Sequence, residues 1–103
     1  MLKLTASLFV VFHSSAFAAA PYPQYEALVE KHSAAQRLDK NLVWAVMGRE
    51  SSGNRYALSN KDARGLLQVI PGTAARMGVN PKLLYDPEQN IIAGTRYLRF
   101  LCN

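Results

Sequence analysis

One cysteine, Cys102, stands next to last in a chain of 103 residues, so no disulfide can form within it. Whatever fold the chain adopts must be held by packing and hydrogen bonds alone. The N-terminus tightens this constraint. Met1-Leu2-Lys3 is a short positive start, Leu4 to Phe12 is mostly apolar, and Ala16-Phe17-Ala18 sets small residues around a bulkier one. This three-part pattern reads as a secretory signal peptide over residues 1–18, with cleavage expected after Ala18 and, as a second choice, after Ala20. Its apolar run is too short to cross a bilayer, which takes about 20 residues. Removing 18 residues from 103 leaves 85, with 11 basic and 7 acidic side chains. Such a length supports one small domain, residues 19–103, with a modest core. The expected location is outside the cytoplasm, in the periplasm or cell envelope, and no transmembrane span is expected in the mature chain.

Half of the residues are hydrophobic and 18% are charged, a globular composition rather than a disordered one. Lys and Arg outnumber Asp and Glu by 12 to 7, which suits an anionic polymer or surface. The basic residues are scattered, with no block and no interleaved aromatic ladder. Nucleic acid is therefore not an expected partner.

The mature chain reads as mainly α. Tyr25, Leu28, Val29 and His32 recur at helical spacing and predict a helix from about Tyr25 to Leu38, with His32 as a packed side chain on its apolar face. Asp39 predicts an N-cap for a second helix over Lys40–Ser51, ended by Ser51-Ser52-Gly53-Asn54. Asn54 to Ala63 reads as a polar loop. Gly65-Leu66-Leu67-Gln68-Val69-Ile70 is a short apolar run, either a strand or a buried turn, so at most a minor β element is expected. Pro71 opens a brief helix to about Met77, and Asn80-Pro81 starts another turn through Leu84. Asp86-Pro87-Glu88-Gln89 predicts the start of a last helix to about Leu101, with Gln89 completing a capping box.

Glu50 is the residue with the most chemical content. It shares a face with Val43, Val46 and Met47, at the last turn of its helix. Burial and the negative end of the helix dipole both disfavour its charged form. A carboxyl raised in this way suits a general acid near neutral pH. The competing expectation is that Glu50 turns to water or pairs with Arg49, Arg55 or Arg64. Ser59 and Gln68 are candidates to bind a polar ligand or orient the carboxylate. Asn90, Gly94 and Tyr97 fall at i, i+4 and i+7 on the last helix, where Gly94 permits a close approach. No metal site is expected: the mature chain has one histidine and one cysteine, far apart. Neither a phosphate-binding glycine loop nor a nucleophilic triad can be assembled.

In order along the chain stand Arg49-Glu50-Ser51, Gly65-Leu66-Leu67-Gln68, Pro71-Gly72-Thr73-Ala74, Asp86-Pro87-Glu88-Gln89-Asn90, Gly94 and Tyr97-Leu98. This set resembles the lytic transglycosylase SLT domain, a family that cleaves peptidoglycan on a lysozyme-like fold. The match runs from about Tyr25 to Leu101. It implies that Glu50 is the catalytic acid and that Ser51 is the residue that usually follows it. Ser59 matches a serine that positions the catalytic group and substrate. Gln68 matches the glutamine of the Gly-Leu-Met-Gln motif at the sugar-binding cleft, with Leu67 in place of methionine. Asn90, Gly94 and Tyr97 match the motif that supports the cleft wall. Ser51, Ser59, Gln68, Asn90 and Tyr97 are thus the expected substrate-binding set. No cofactor is implied.

An ordinary glycosidase sets two carboxylates across the scissile bond. Here Asp62, Asp86 and Glu88 all have loop or capping explanations, which leaves Glu50 alone. The resemblance implies a route that needs only one. The glycosidic MurNAc-GlcNAc β-1,4 bond is protonated by the acid, the muramic N-acetyl group assists departure, and the C6 hydroxyl of the same sugar attacks. The product is a 1,6-anhydromuramyl end, formed without water. Implied partners are peptidoglycan glycan strands and, for small members of the family, a secretion or conjugation apparatus. The family's Ala-Tyr-Asn-Ala-Gly motif, whose tyrosine lies at the active site, is missing from this sequence. That departure keeps two alternatives in view: a lysozyme-type hydrolase, and a truncated remnant that binds glycan or a partner without cleaving.

Overall fold

The computed structural model describes residues 19–103, so the expected signal peptide over 1–18 lies outside the described residues. Four α-helices form the frame: α1 (Glu26–Ala35), α2 (Lys40–Ser51), α3 (Pro71–Arg76) and α4 (Pro87–Leu101), with short 3-10 turns at Pro23–Tyr25 and Pro81–Leu83. α1 packs on both α2 and α4, and α3 packs on α4. Among the described residues there is no strand, only two isolated antiparallel bridges, Leu58 with Arg64 and Arg64 with Val69. The mainly α expectation with a minor β element holds. No helix of the described residues is long and apolar enough to cross a membrane.

The helix starts follow their caps. Asp39 accepts a hydrogen bond from the Asn41 N–H at 2.9 Å, and Asp86 accepts one from the Gln89 N–H at 2.9 Å. The expected reciprocal half of the capping box is not made. The Asp86 N–H donates instead to the Leu83 carbonyl at 2.9 Å, because the preceding 3-10 turn already presents that oxygen.

α1 ends at Ala35, three residues before the expected Leu38. Arg37 adopts a left-handed φ of 55°, so the Leu38 N–H reaches back to the Ser33 carbonyl and the Arg37 N–H to the Ala34 carbonyl. This is a Schellman closure with arginine where glycine is usual. Support comes from α4: the Arg99 guanidinium donates to the Gln36 and Arg37 carbonyls at 3.4 and 3.2 Å, capping the freed end of α1.

The core is built by the faces that the spacing predicts. Val43, Val46 and Met47 of α2 are buried with Val29 of α1, and Ile91 and Leu98 of α4 meet Leu66, Leu67 and Leu84 from the connections. Each fully buried side chain of this size contributes roughly 1.5–3 kcal/mol, the bulk of what stabilises a fold without disulfides. His32 sits at the margin, its Nε2 2.8 Å from Glu88 Oε2, with Lys31 Nζ 3.5 Å from the same oxygen. The contact ties α1 to α4, and the hydrogen bond with His32 holds the Glu88 carboxyl below the usual carboxylate range.

Candidate active site

Glu50 lies in the last turn of α2, half-buried, on the face whose other members are core residues. Burial holds its carboxyl above the usual carboxylate range, against the opposing pull of the Arg49 guanidinium. None of the three arginines named as alternative partners pairs with it. Arg64 makes a two-point contact with Asp62 at 2.9 and 3.1 Å. Arg55 donates from Nε to the Tyr85 carbonyl at 3.2 Å and lies 5.1 Å over the Tyr56 ring. Arg49 is exposed and forms no ion pair among the described residues. The carboxyl is thus partly desolvated and in no ion pair among the described residues, an arrangement that suits a general acid.

The residues that the resemblance groups with Glu50 divide by position. Ser51 serves its own helix: its hydroxyl donates to the Met47 carbonyl at 3.2 Å and accepts from the Gly53 N–H at 3.1 Å. Ser59 organises the loop that follows. Its Oγ accepts from the Lys61 and Ala63 N–H groups at 3.1 and 3.0 Å, an arrangement typical of hydroxyls at turns. Gln68 is buried at 6% exposure with a left-handed φ of 52°, so Gly65 to Val69 form a buried turn and not a strand, and Ile70 is exposed. Its amide Nε2 donates to the Ala57 and Gly65 carbonyls, both at 3.1 Å. The amide oxygen makes no hydrogen bond within the described residues and remains able to accept one.

Asn90 is fully enclosed, at 0% exposure, and every polar atom of its side chain is used. Oδ1 accepts from the Leu67 N–H at 2.7 Å, while Nδ2 donates to the Arg64 and Leu84 carbonyls, both at 2.8 Å. The resemblance places it among substrate-binding residues, but it meets no solvent in this structure, and what it contributes passes through the turn it holds. Gly94 allows that turn to close on α4, since a Cβ there would stand 2.8 Å from Leu67 Cβ. Gly65 is constrained twice, by a φ of 77° and by the Leu84 carbonyl, 2.5 Å from where a Cβ would fall. Tyr97 is half-buried on the next turn of α4, its ring stacked on Phe100 with centroids 6.3 Å apart.

Sequence reasoning overlooked two contributors. The Leu67 backbone N–H is one, since only the structure shows Asn90 reaching it. Tyr22 is the other, an aromatic residue near the start of the described residues whose ring lies against the turn after Glu50. No spacing rule marks it.

A family model described as Transglycosylase SLT domain matches residues 27–103. The chain belongs to this family. It is 43% identical over 89 residues to the membrane-bound lytic murein transglycosylase C of Pectobacterium atrosepticum, covering 78% of this chain and 25% of that protein. The protein of the same name from Yersinia pestis is 42% identical over the same span and shares. Among solved structures, the 70 kDa soluble lytic transglycosylase of Escherichia coli superposes with a TM-score of 0.70 at 31% identity, over 74% of this chain and 14% of that one. An inactive variant of the lytic transglycosylase Slt from Pseudomonas aeruginosa gives 0.72 at 26%, over 78% and 14%. The SLT chain described here therefore has the lysozyme-like fold of these enzymes and spans about a quarter of the length of the relatives it matches.

Proposed function

We propose that this SLT chain is a peptidoglycan lytic transglycosylase of the cell envelope, exported by its leader, with Glu50 as general acid and then general base. The relatives named as membrane-bound murein transglycosylases support the substrate class and the location. One observation carries the catalytic assignment: a half-buried carboxyl at a helix end, raised by burial and in no ion pair among the described residues. Glu50 gives its proton to the glycosidic oxygen as that bond breaks. The C6 hydroxyl of the muramic sugar then bonds to its own anomeric carbon and returns its proton to Glu50. Atoms balance without water, and the product is a 1,6-anhydromuramyl end. Gln68, through its unused amide oxygen, and Ser59 and Tyr97 would contact the sugar chain. Ser51 and Asn90 would act through the helix end and the turn. No surface is assigned here to a secretion or conjugation apparatus.

The test is mass spectrometry of muropeptides from purified sacculi incubated with the chain and with Glu50→Gln. Anhydro ends from the wild type and none from the variant are expected. Reducing ends would instead indicate lysozyme-type hydrolysis, and no product from a folded wild type would indicate a non-catalytic remnant. The pH profile has a defined sign. The acid must be protonated, so turnover falls as pH rises through the raised value of Glu50. Stability follows the same group: its contribution is complete below the ordinary value of 4.5 and is lost as pH rises through the folded one. Glu50→Gln is therefore expected to be at least as stable as the wild type at neutral pH, checked by urea unfolding.

A further inference from the structure

A general acid works only if its carboxyl is held in place, and the last turn of a helix is where helices fray. The turn after Glu50 is also conformationally costly. Ser52 and Gly53 both take left-handed backbone, with φ of 53° and 78°, and the serine bears a penalty of roughly 1–2 kcal/mol for doing so. Local hydrogen bonds answer part of this: the Ser52 N–H donates to the Gly48 carbonyl at 3.2 Å and the Asn54 N–H to the Ser51 carbonyl at 3.0 Å.

The rest comes from the N-terminal segment. Tyr22 packs on Trp44 of α2, ring centroids 6.2 Å apart and planes tilted by 49°. The same ring lies so close to Gly53 that a Cβ there would fall 2.5 to 2.9 Å from three of its carbons. Its hydroxyl would be 3.7 Å from a Cβ on Gly48. One tyrosine at the margin of the core thus reaches along α2 from Trp44, past Gly48, to Gly53 in the turn just beyond Glu50. Its own backbone is fixed by the following 3-10 turn, where the Tyr25 N–H donates to the Tyr22 carbonyl at 2.9 Å.

Taking Glu50 as the catalytic acid, we propose that Tyr22 is its positioning residue: the ring clamps the left-handed turn Ser52–Gly53 and so prevents the last turn of α2 from opening. The Tyr22 hydroxyl makes no hydrogen bond among the described residues, so the ring does the holding. Loosening the clamp lets Glu50 swing toward water, with Arg49 as the nearest cation along the helix. The carboxyl then loses both its fixed direction and its desolvation.

Two readouts on the full chain test this, across wild type, Tyr22→Phe and Tyr22→Ala. The first is a carbon-13 NMR titration of the Glu50 carboxyl, which needs no activity. The second is kcat and KM for muropeptide release. Tyr22→Ala is expected to move the Glu50 titration to lower pH and to lower kcat by roughly 10- to 100-fold with little change in KM. Tyr22→Phe should stay within about twofold of wild type in kcat, with the titration unmoved. If Tyr22→Ala does not fold, Tyr22→Leu takes its place. A folded variant with wild-type titration and kcat overturns the proposal, as does a loss that merely tracks the folded fraction while the titration stays put. No release by the wild type, with the titration moved as expected, refutes Glu50 as catalyst but leaves the clamp on its carboxyl standing.

Discussion

The connection from α2 to α3 has two halves that are ordered by opposite means. From Asn54 to Ala63 the chain is ordered mainly by its own short polar residues: Asn54 Oδ1 accepts from the Tyr56 N–H at 2.9 Å, and Ser59 binds two amides within four residues, with Arg55 reaching out to the Tyr85 carbonyl. Its large side chains face water, Tyr56 at 66% and Leu58 at 60% exposure. From Gly65 to Val69 the chain is buried throughout, and its decisive bonds come from Asn90, more than twenty residues away. Local stitching gives a shape that any chain with the same short polar residues could take up. Long-range anchoring gives a position, which is what a cleft residue such as Gln68 needs.

The contrast can be broken at three points, in falling order of effect. Asn90→Ala leaves the buried Leu67 N–H and Leu84 carbonyl without partners and the Arg64 carbonyl with the Val69 N–H alone, and about 2–3 kcal/mol of stability should go with them. Urea unfolding measures the loss, and hydrogen exchange should show it first in residues 64–69. A cost below about 1 kcal/mol would mean that the turn holds itself. Ser59→Ala should cost about 1 kcal/mol, with faster exchange confined to residues 59–63. Exchange that spreads into the buried turn would erase the distinction between the halves. Tyr56→Ala, at an exposed ring touching Arg55 and Tyr85, should change stability by no more than about 0.5 kcal/mol. A larger loss in its melting curve would show that the outer half depends on Tyr85 more than on its own bonds.

The same division explains what could be read from the sequence. Caps were legible because Asp39, Asn80 and Asp86 act within three residues of themselves. Helix ends were legible only where the residue type announces them. α3 and α1 close by the same backbone motif, yet Gly78 marks the first and Arg37 gives no sign of the second. Arg37 can stand there because Arg99 caps the exposed carbonyls, a contact spanning about sixty residues that no local rule reaches. Glu50 stood out on physical grounds, since an acid on an apolar helix face conflicts with its surroundings. That it forms no ion pair with Arg55 or Arg64 was not legible, because those two cations find their partners, the Tyr85 carbonyl and Asp62, only in three dimensions. Asn90 was marked as a site residue by motif, but its enclosure is a property of the packed turn.

The contact between Leu67 and Gly94 has a consequence for how such chains diversify. Leu67 presses its side chain onto a backbone position that has no room for a methyl group. Trimming Leu67 would not make room for bulk at 94, because the clash includes the Leu67 Cβ, 2.8 Å away, which every side chain there would keep. A methyl at 94 therefore asks the turn pinned by Asn90 to lift off α4. Position 94 should stay glycine across any library of this domain, while position 67 should accept other apolar residues of similar volume.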